Sequence, residues 1–287
     1  METSVFPNTR SRFIVVEGAR THYLEAGEGS TLVLLHDGAY GGCAEVTWFQ
    51  NIAALSKSYR VIAPDFLGFG ETDKLHDFGG GRARRVRHMT KFLEAMDIKE
   101  AAFCGVSMGA SILFQALATD DLNWPIKAAI CISGGGFVPF NEARRKTLDF
   151  DCTIENMREI MSVMIHQQKW LSDDRVIDAR FRAATRPGAW EVTAAARFVS
   201  PITPPRSEEF GAEDKTPYQR IRVPVLVMAG ANDRLKQAGY ASELAALIPQ
   251  GEHQLFAECG HFPNIESADS FNEAVLEFLA RVYPSSS

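Results

Sequence analysis

The segment GVSMG at residues 105–109 has the residue types and spacing of a nucleophile elbow. In this GxSxG pattern the serine lies on a tight turn between a strand and a helix, and the positions two before and two after it must be small. A short apolar run precedes the segment and a helical pattern follows it. A helix N-terminus favours developing negative charge, so Ser107 is predicted to be a nucleophile. The alternative is a tight turn that carries a capping serine.

A serine hydroxyl is a weak nucleophile that needs a base, and the triad order in this kind of fold is serine, acid, histidine. His261 is the well-placed histidine, because ECGHFP lies after a predicted strand and before the last helical pattern. Asp233, in AGANDR, follows the preceding predicted strand and would fix the tautomer of that histidine. An Asx turn or a helix N-cap is the alternative role for Asp233. Asp65 also follows a strand, but its PDFLGFG setting indicates turn structure.

The glycine-rich loop HDGAYGG at 36–42 follows another predicted strand and is the candidate oxyanion loop. Two backbone N–H groups would hold the negative oxygen of a tetrahedral intermediate, and each contributes about 3–4 kcal/mol in the transition state. We expect one donor to be Met108, directly after the nucleophile, and the other to be Gly38, with Ala39 as its alternative. A flexible surface loop would explain the glycines but not their position. His36 is expected to stabilise the loop rather than to act as the base.

Each of these groups follows a predicted strand, and most of the chain alternates short apolar runs with longer helical patterns. Parallel strands that are covered on both faces read as continuous apolar runs. Repeated strand–helix units therefore predict an α/β fold with a doubly wound, mostly parallel sheet flanked by helices. The predicted strands cover residues 13–16, 21–25, 31–35, 60–63, 101–104, 128–132, 223–228 and 254–257. The helical patterns between them cover residues 46–56, 83–96, 108–118, 236–248 and 267–282.

The alternation is interrupted between about residues 137 and 215, where the spacing is helical and no convincing strand occurs. The segment ENMREIMSVMIHQQ is amphipathic, and its Met and Ile stripe indicates packing rather than a cofactor site. The PITPP and EEFGAED segments mark the return of the chain to the sheet. The predicted organisation is therefore a core of residues 1–136 and 216–287 with a helical cap inserted at residues 137–215.

Composition limits the partners of the protein. A net charge of −6 over 287 residues lacks the basic footprint of a nucleic-acid-binding protein. Five cysteines without a CxxC motif favour a reduced, cytoplasmic protein, and neither a signal peptide nor a membrane-spanning run is recognised. No two histidines have convincing metal-ligand spacing. We expect a small-molecule substrate, no nucleic-acid or membrane partner, and no cofactor or metal; homo-oligomerisation stays open.

With these segments placed, the chain resembles the α/β-hydrolase superfamily over nearly its whole length. Within that superfamily it is most similar to the meta-cleavage product hydrolases, which cut carbon–carbon bonds in aromatic degradation. The resemblance rests on HDGAYGG with Trp48 after it, APDFLGFGETDK, GVSMGA, AGANDR, ECGHF and the cap segment MREIMSVMIHQQKWLSDDRVIDARFRAA. It implies an eight-stranded sheet and a Ser-His-Asp acyl-enzyme mechanism that acts on a 2-hydroxy-6-oxo-dienoate.

The resemblance also implies substrate contacts, and three departures bear on them. In the family an arginine at the position of Arg180 binds the substrate carboxylate, so Arg180 is a candidate anion clamp; a solvated helix face is the alternative. The family usually has asparagine where this chain has Val106, tryptophan where it has Phe262, and glycine where Asp37 follows His36. Val106 and Phe262 are expected to contact the substrate and to make its pocket more apolar.

Three functions are compatible with these residues. The first is hydrolysis of a carbon–carbon bond, and the second is a carboxylesterase or lactonase activity of the same triad, which Val106 and Phe262 favour. The third is a non-catalytic, ligand-sensing scaffold, because fold does not imply function. An intact triad argues against the third. Haloalkane dehalogenases and epoxide hydrolases of this fold have aspartate at the elbow, so Ser107 argues against those activities.

Overall fold

Eight strands form one sheet in the computed structural model, which describes residues 8–77, 81–119, 122–195 and 210–285. The strands are β1 (Arg10–Val16), β2 (Ala19–Ala26), β3 (Thr31–Leu35), β4 (Arg60–Pro64), β5 (Ala101–Val106), β6 (Ile126–Ile132), β7 (Val225–Gly230) and β8 (Gly251–Phe256). Their order across the sheet is β1-β2-β4-β3-β5-β6-β7-β8. Only β2 is antiparallel to its neighbours, β1 and β4. The predicted α/β-hydrolase sheet is confirmed.

The central strands are buried on both faces, as their continuous apolar sequences predicted. Every residue of β5 and of β7 is buried. Because successive side chains of a strand point to opposite faces, the two faces of the sheet form separate apolar cores. In β3, for example, Leu32 and Leu34 belong to one core and Val33 and Leu35 to the other.

Helices cover both faces of this sheet. They are α1 (Ala44–Trp48), α2 (Ile52–Leu55), α3 (Gly81–Ala95), α4 (Met108–Ala118), α5 (Glu142–Leu148), α6 (Ile154–Met164), α7 (Gln168–Leu171), α8 (Asp174–Ala184), α9 (Ala189–Ala195), α10 (Tyr240–Ala246), α11 (Pro263–Glu266) and α12 (Ala268–Val282). In α12 the side chains that repeat every three or four residues face the sheet, including Phe271, Val275 and Phe278. The pattern predicted at 46–56 forms two short helices instead of one.

Seven of the eight strands differ from their predicted bounds by one to three residues at an end, and two of these shifts have a physical reason. We predicted that the seventh strand begins at residue 223, but β7 begins at Val225, directly after Pro224, which has no N–H for the ladder. We predicted that the last strand begins at residue 254, but β8 begins at Gly251 because its polar first residues pair with β7. His253 therefore lies inside this strand and not before it, and its side chain is exposed, as predicted.

In the described residues between β6 and β7 lie five α-helices, α5 to α9, and we refer to them as the inserted helices. No strand occurs in the part of residues 137–215 that the structure describes. The apolar stripe of α6 is buried, including Met157, Ile160 and Met164, so packing is the role of that stripe. The PITPP segment lies outside the described residues, and the boundaries of the core and the cap stay a prediction.

The parallel register brings the loops that carry the predicted site to one edge of the sheet. Val106 at the end of β5 is level with Ile132 of β6, which is level with Met228 of β7. Met228 in turn pairs with Gln254 of β8. Because these strands run in the same direction, the chain leaves each of them at the same edge. That edge is where ligands bind in open α/β sheets.

Candidate active site

Ser107 occupies a strained turn between β5 and α4. Its backbone angles are φ = 53° and ψ = −109°, a conformation that non-glycine residues rarely adopt. The Ser107 N–H donates to Ile132 O over 2.8 Å and so ties the turn to β6. A Cβ atom at Gly105 would lie 2.6 Å from the carbonyl carbon of Gly109, and one at Gly109 would lie 2.4 Å from Leu35 O. Both positions of the GxSxG motif therefore have to be glycine.

The predicted base and acid lie in contact. His261 Nδ1 is 2.8 Å from Asp233 Oδ2, and each side chain is only 2% exposed. Burial raises the pKa of Asp233, but the charge and hydrogen bond of His261 outweigh burial and lower it. An ionised acceptor at Nδ1 keeps the proton on that nitrogen and leaves Nε2 as the basic atom. The other oxygen of Asp233 accepts the Leu235 N–H over 2.9 Å, so Asp233 also forms the alternative Asx turn.

The loops that carry Asp233 and His261 are joined by backbone hydrogen bonds. The Ala231 N–H donates to Phe256 O, and the Asn232 N–H donates to Cys259 O, each over 2.9 Å. The Asn232 side chain adds a bond of 2.6 Å to Ala257 O. The acid and the histidine are thus positioned by one unit built from the ends of β7 and β8.

The inserted helices hold the histidine loop through Glu266, which the sequence analysis missed. One carboxylate oxygen of Glu266 accepts the Gly260 N–H over 2.7 Å, and the other accepts the N–H groups of His166 and Gln167, also over 2.7 Å. Burial raises the pKa of this carboxyl. In addition, the His261 N–H donates to Met164 O at the end of α6 over 2.6 Å. No local pattern would have identified Glu266, because two of its partners, His166 and Gln167, lie 100 and 99 positions away in the sequence.

The hydroxyl of Ser107 is half-buried at the N-terminus of α4. Within the described ranges the structure has no hydrogen bond between this hydroxyl and His261. Such bonds are often long in ligand-free enzymes and shorten when substrate binds. The structure therefore places the base and the acid together and brings the serine to the same edge of the sheet, while the serine–histidine contact stays a prediction.

Gly38 lies against Met108, as an oxyanion site requires. A Cβ atom at Gly38 would be 2.6 Å from Met108 Sδ and 2.9 Å from Met108 Cβ. The Ala39 N–H donates to Asp37 Oδ1 over 3.0 Å, so it is already used inside the loop. This hydrogen bond argues against the alternative in which Ala39 supplies the first oxyanion donor. The amides of Gly38 and Met108 stay the predicted pair.

His36 stabilises the oxyanion loop, as the sequence suggested. Its Nε2 accepts the Phe66 N–H over 2.9 Å, and its Nδ1 donates to Asp37 O over 2.6 Å. Burial lowers the pKa of His36 and so favours the neutral ring that this pattern needs. The side chain links the loop after β3 to the loop after β4, and both nitrogens are occupied.

Asp65 holds the turn after β4. Its carboxylate accepts the Ala44 N–H over 2.7 Å and the Glu71 N–H over 2.8 Å. It also lies 2.7 Å from His22 Nδ1, and the other ring nitrogen of His22 lies 3.0 Å from Ser11 Oγ. The structure thus contains a second hydrogen-bonded set of serine, histidine and aspartate, away from the ends of β5, β7 and β8.

Arg180 is fully buried and paired with Asp37. Its Nη2 lies 2.6 Å from Asp37 Oδ1, its Nη1 lies 3.4 Å from Oδ2, and its Nε donates to Tyr40 O over 2.9 Å. Asp37 Oδ2 also accepts the Thr47 hydroxyl over 2.9 Å. Burial raises the pKa of Asp37, but the Arg180 guanidinium outweighs burial and lowers it. The alternative of a solvated helix face for Arg180 is wrong, because the side chain is buried and paired, while its role as the implied anion clamp stays a prediction.

Asp37 is the partner that the sequence analysis missed, although it was noted as a departure from the family pattern. Phe262 and Val106 are both 0% exposed. The Phe262 ring packs 5.3 Å from the His261 ring and 5.5 Å from the Arg180 guanidinium carbon. Phe262 therefore separates the histidine from the Arg180–Asp37 pair. Substrate contacts by Phe262 and Val106 stay predictions.

Other features lie apart from this edge of the sheet. A cavity of about 550 Å³ is lined by residues of the β1–β2 turn and of α3, among them Glu17, Arg84 and His88, and by none of the predicted site residues. In the described part of the chain, no group of three or more His, Cys, Asp or Glu side chains is arranged to hold a metal ion. None of the helices described is long and apolar enough to cross a bilayer.

Comparisons with known proteins agree with the motifs. Residues 32–274 match the family model described as "Alpha/beta hydrolase family". The 2-hydroxy-6-oxo-6-(2'-aminophenyl)hexa-2,4-dienoic acid hydrolase of Metapseudomonas resinovorans is 32% identical over 94% of this chain and 91% of that protein. The 2-hydroxymuconate semialdehyde hydrolase of Pseudomonas sp. (strain CF600) is 29% identical over 94% and 93%. A solved serine hydrolase involved in carbazole degradation has a TM-score of 0.80 at 28% identity and covers 95% of this chain and 99% of its own.

Proposed function

The chain belongs to the alpha/beta hydrolase family, and on that premise we propose that it is a serine hydrolase that cleaves a carbon–carbon bond in a 2-hydroxy-6-oxo-dienoate-type ring-cleavage product. The observation that carries the proposal is the 2.8 Å bond between His261 and Asp233, at the same edge of the sheet as the strained elbow of Ser107. The similarity to hydrolases named for such products supports the choice of bond.

In the proposed mechanism His261 Nε2 takes the proton of Ser107 as its Oγ attacks the ketone carbon of the substrate. Asp233 stabilises the imidazolium that forms, because its carboxylate is ionised and bonded to Nδ1. The oxygen of the former ketone becomes negative, and the amides of Gly38 and Met108 donate to it. These amides belong to fixed backbone, so no reorganisation is needed when the charge develops.

The carbon leaving group determines which substrates can react. A simple carbanion is too basic to leave, but a 2-hydroxy-6-oxo-dienoate that has tautomerised to its keto form releases a delocalised dienolate. Collapse of the tetrahedral intermediate breaks the carbon–carbon bond, and the leaving fragment takes up the proton held by His261. Water, deprotonated by His261, then attacks the acyl-Ser107 ester, and His261 returns that proton to Ser107 Oγ as the acid is released. The cycle consumes one water and needs no external oxidant or reductant.

The inserted helices are part of the proposal as a cap, comprising residues 137–215, over the edge of the sheet that holds the triad. The support is that Met164 and the segment after α6 are hydrogen-bonded to the histidine loop directly and through Glu266. A cover at this place would exclude water from the tetrahedral intermediate, where fixed dipoles act most strongly in a low dielectric.

The proposed setting is the cytoplasm, with a small-molecule substrate and no cofactor. The five cysteines are all free, which supports a reducing compartment. Small-molecule turnover is in line with the hydrolases to which the chain is similar.

A carboxylesterase or lactonase is the second candidate, and the Arg180–Asp37 pair favours it. In the family pattern the arginine binds a substrate carboxylate, whereas here a carboxylate of the protein occupies it. An ester substrate needs no such clamp. The apolar side chains of Val106 and Phe262, both buried beside the site, agree with a less charged substrate.

The two candidates can be separated by comparing kcat/KM for a ring-cleavage dienoate, followed by loss of its colour, with kcat/KM for a p-nitrophenyl ester. The proposal expects the dienoate to be preferred. A preference for the ester by orders of magnitude would replace the first candidate with the second. A fluorophosphonate probe tests both against a ligand-sensing scaffold: if the intact protein gains no mass and Ser107→Ala changes no turnover, neither hydrolase candidate survives.

A further inference from the structure

The Arg180–Asp37 pair joins the two sides of the candidate site. Asp37 directly precedes Gly38, the predicted oxyanion donor, and Arg180 packs on Phe262, which directly follows His261. The pair therefore lies between the oxyanion loop and the residue after the base. Both side chains are almost fully buried, at 0% and 1% exposure. Any substrate group that approaches this side of the site meets a neutralised ion pair and not a free cation.

The pair is fixed by several hydrogen bonds rather than by charge alone. Asp37 accepts two N–H groups of Arg180, the Ala39 N–H and the Thr47 hydroxyl, which uses both of its oxygens. Arg180 also donates to Tyr40 O. A substrate carboxylate that displaced Asp37 from Arg180 would leave a buried, ionised carboxylate without its main partner. Such a group is strongly unfavourable, so Asp37 competes effectively with the substrate.

We propose that Asp37 is a specificity-determining residue that withdraws Arg180 from the substrate, so that the site selects substrates whose group beside the oxyanion loop is uncharged. This inference deepens the proposed function and rests on its placement of the substrate between Ser107 and the oxyanion loop. The inference concerns where a charged substrate can bind: because Asp37 occupies Arg180, a substrate carboxylate is kept away from this arginine. Asp37 uses the Nη1/Nη2 face of the guanidinium, and Tyr40 O accepts the Nε–H of its other face, so no free two-pronged face is left for a second carboxylate.

Binding measurements without turnover test the inference. In the Ser107→Ala background, calorimetry would compare a 2-hydroxy-6-oxo-6-phenyl-dienoate with its primary amide, which has the same shape without the charge. We expect the amide to bind at least as tightly as the carboxylate. Adding Asp37→Asn should tighten carboxylate binding about tenfold or more, because Arg180 is freed, and should change amide binding less than about threefold. Asp37→Gly serves as the second variant if the asparagine variant does not fold.

Two control variants show whether the gain in carboxylate affinity depends on Arg180. Thr47→Val removes another contact of Asp37 but keeps the ion pair, so the ratio of carboxylate to amide affinity should stay at the parent value. Asp37→Asn combined with Arg180→Gln should lose the gain in carboxylate binding. The inference is overturned if Asp37→Asn changes both affinities equally, if the parent already binds the carboxylate tenfold more tightly than the amide, or if neither compound binds.

Two outcomes would distinguish a failure of the proposed function from a failure of the inference about Asp37. If wild-type protein binds these compounds with the expected selectivity but does not consume either of them, carbon–carbon hydrolysis is wrong while the role of Asp37 stands. If it consumes the dienoate rapidly and Arg180→Gln abolishes only carboxylate binding, the proposed function stands while the role of Asp37 is wrong.

Discussion

Two sets of serine, histidine and aspartate side chains in this molecule differ both in their side-chain hydrogen bonds and in the backbone around the serine. Ser11, His22 and Asp65 are linked by contacts of 3.0 and 2.7 Å. In the candidate active site the contact of 2.8 Å joins only the histidine and the aspartate. Judged by side-chain contacts alone, the first set would be the better triad.

The backbone around each serine favours the second set, with Ser107, as the catalytic one. Ser11 lies within the regular antiparallel strand β1, opposite Leu24, and no helix begins after it. Ser107 lies on a strained turn, directly before α4 and beside the loop of Gly38. The second serine lies at a helix N-terminus beside the loop that carries the predicted oxyanion donors, each of which would contribute about 3–4 kcal/mol in the transition state. The comparison teaches that the turn and the donors, more than the three residue types, identify the site.

The largest expected effect is the loss of the nucleophile. Ser107→Ala should lower kcat for an ester or dienoate by about ten thousandfold or more, because no acyl-enzyme can form. Ser11→Ala is the matched control and should change kcat by less than about twofold, since Ser11 lies within the regular strand β1 and not on a nucleophile turn. Steady-state kinetics, with mass spectrometry of fluorophosphonate-treated protein, measure both. Labelling of Ser11 at a rate comparable with that of Ser107 would contradict the comparison.

Replacing the two aspartates should separate catalysis from stability. Asp233→Asn should lower kcat by about a thousandfold to ten thousandfold, because the amide favours the wrong tautomer of His261. Asp65→Asn should leave kcat within about threefold but lower the free energy of unfolding by about 1–3 kcal/mol, since Asp65 accepts the N–H groups of Ala44 at the start of α1 and of Glu71 in the turn after β4. Urea unfolding and initial rates of the same preparations give both quantities. A large loss of kcat in Asp65→Asn with unchanged stability would contradict this division.

The features that could be predicted from the sequence are those that depend on neighbouring residues, and the contacts between distant residues could not be predicted. Buried parallel strands read as continuous apolar runs, so β3, β5 and β7 were predictable, and the loops after them indicated Gly38, Ser107 and Asp233. The pair of Arg180 and Asp37 joins residues 143 positions apart. Each residue alone looked informative, Arg180 as a clamp and Asp37 as a departure. Only the packing of α8 on the oxyanion loop shows that one cancels the other.

We expect a smaller effect on kcat from variants that remove a hydrogen bond near His261 or His22. Glu266→Gln replaces one acceptor oxygen by a donor, so the bonds to Gly260 or to the segment after α6 are lost. We expect kcat to fall about tenfold because His261 is less well positioned. Thr72→Val is the matched control: it removes the hydroxyl that accepts the His22 N–H over 2.9 Å and should leave kcat unchanged.

Two readouts distinguish positioning from general destabilisation in these variants. The pH profile of kcat should change in Glu266→Gln, because the setting of His261 changes, and the profile of Thr72→Val should match that of the wild type. Glu266→Asp, which keeps the charge, should restore part of the activity. Equal losses in the glutamate and threonine variants would mean that Glu266 acts only through stability.

The smallest effect concerns acid stability, in which the two sets should behave alike. The pKa values of Asp65 and Asp233 are both lowered in the folded protein, in each case because a histidine and backbone N–H groups outweigh burial. A lowered folded-state pKa means that the unfolded chain binds more protons, so the stabilisation is present above the unfolded value of about 3.9 and is lost as the pH falls through the folded value. Asp65→Asn and Asp233→Asn should therefore each flatten the fall of the unfolding free energy below about pH 4. Urea titrations at pH 5, 4 and 3 measure the slope, and an unchanged slope in either variant would show that its aspartate keeps an ordinary pKa and that the two sets differ in electrostatics as well as in backbone.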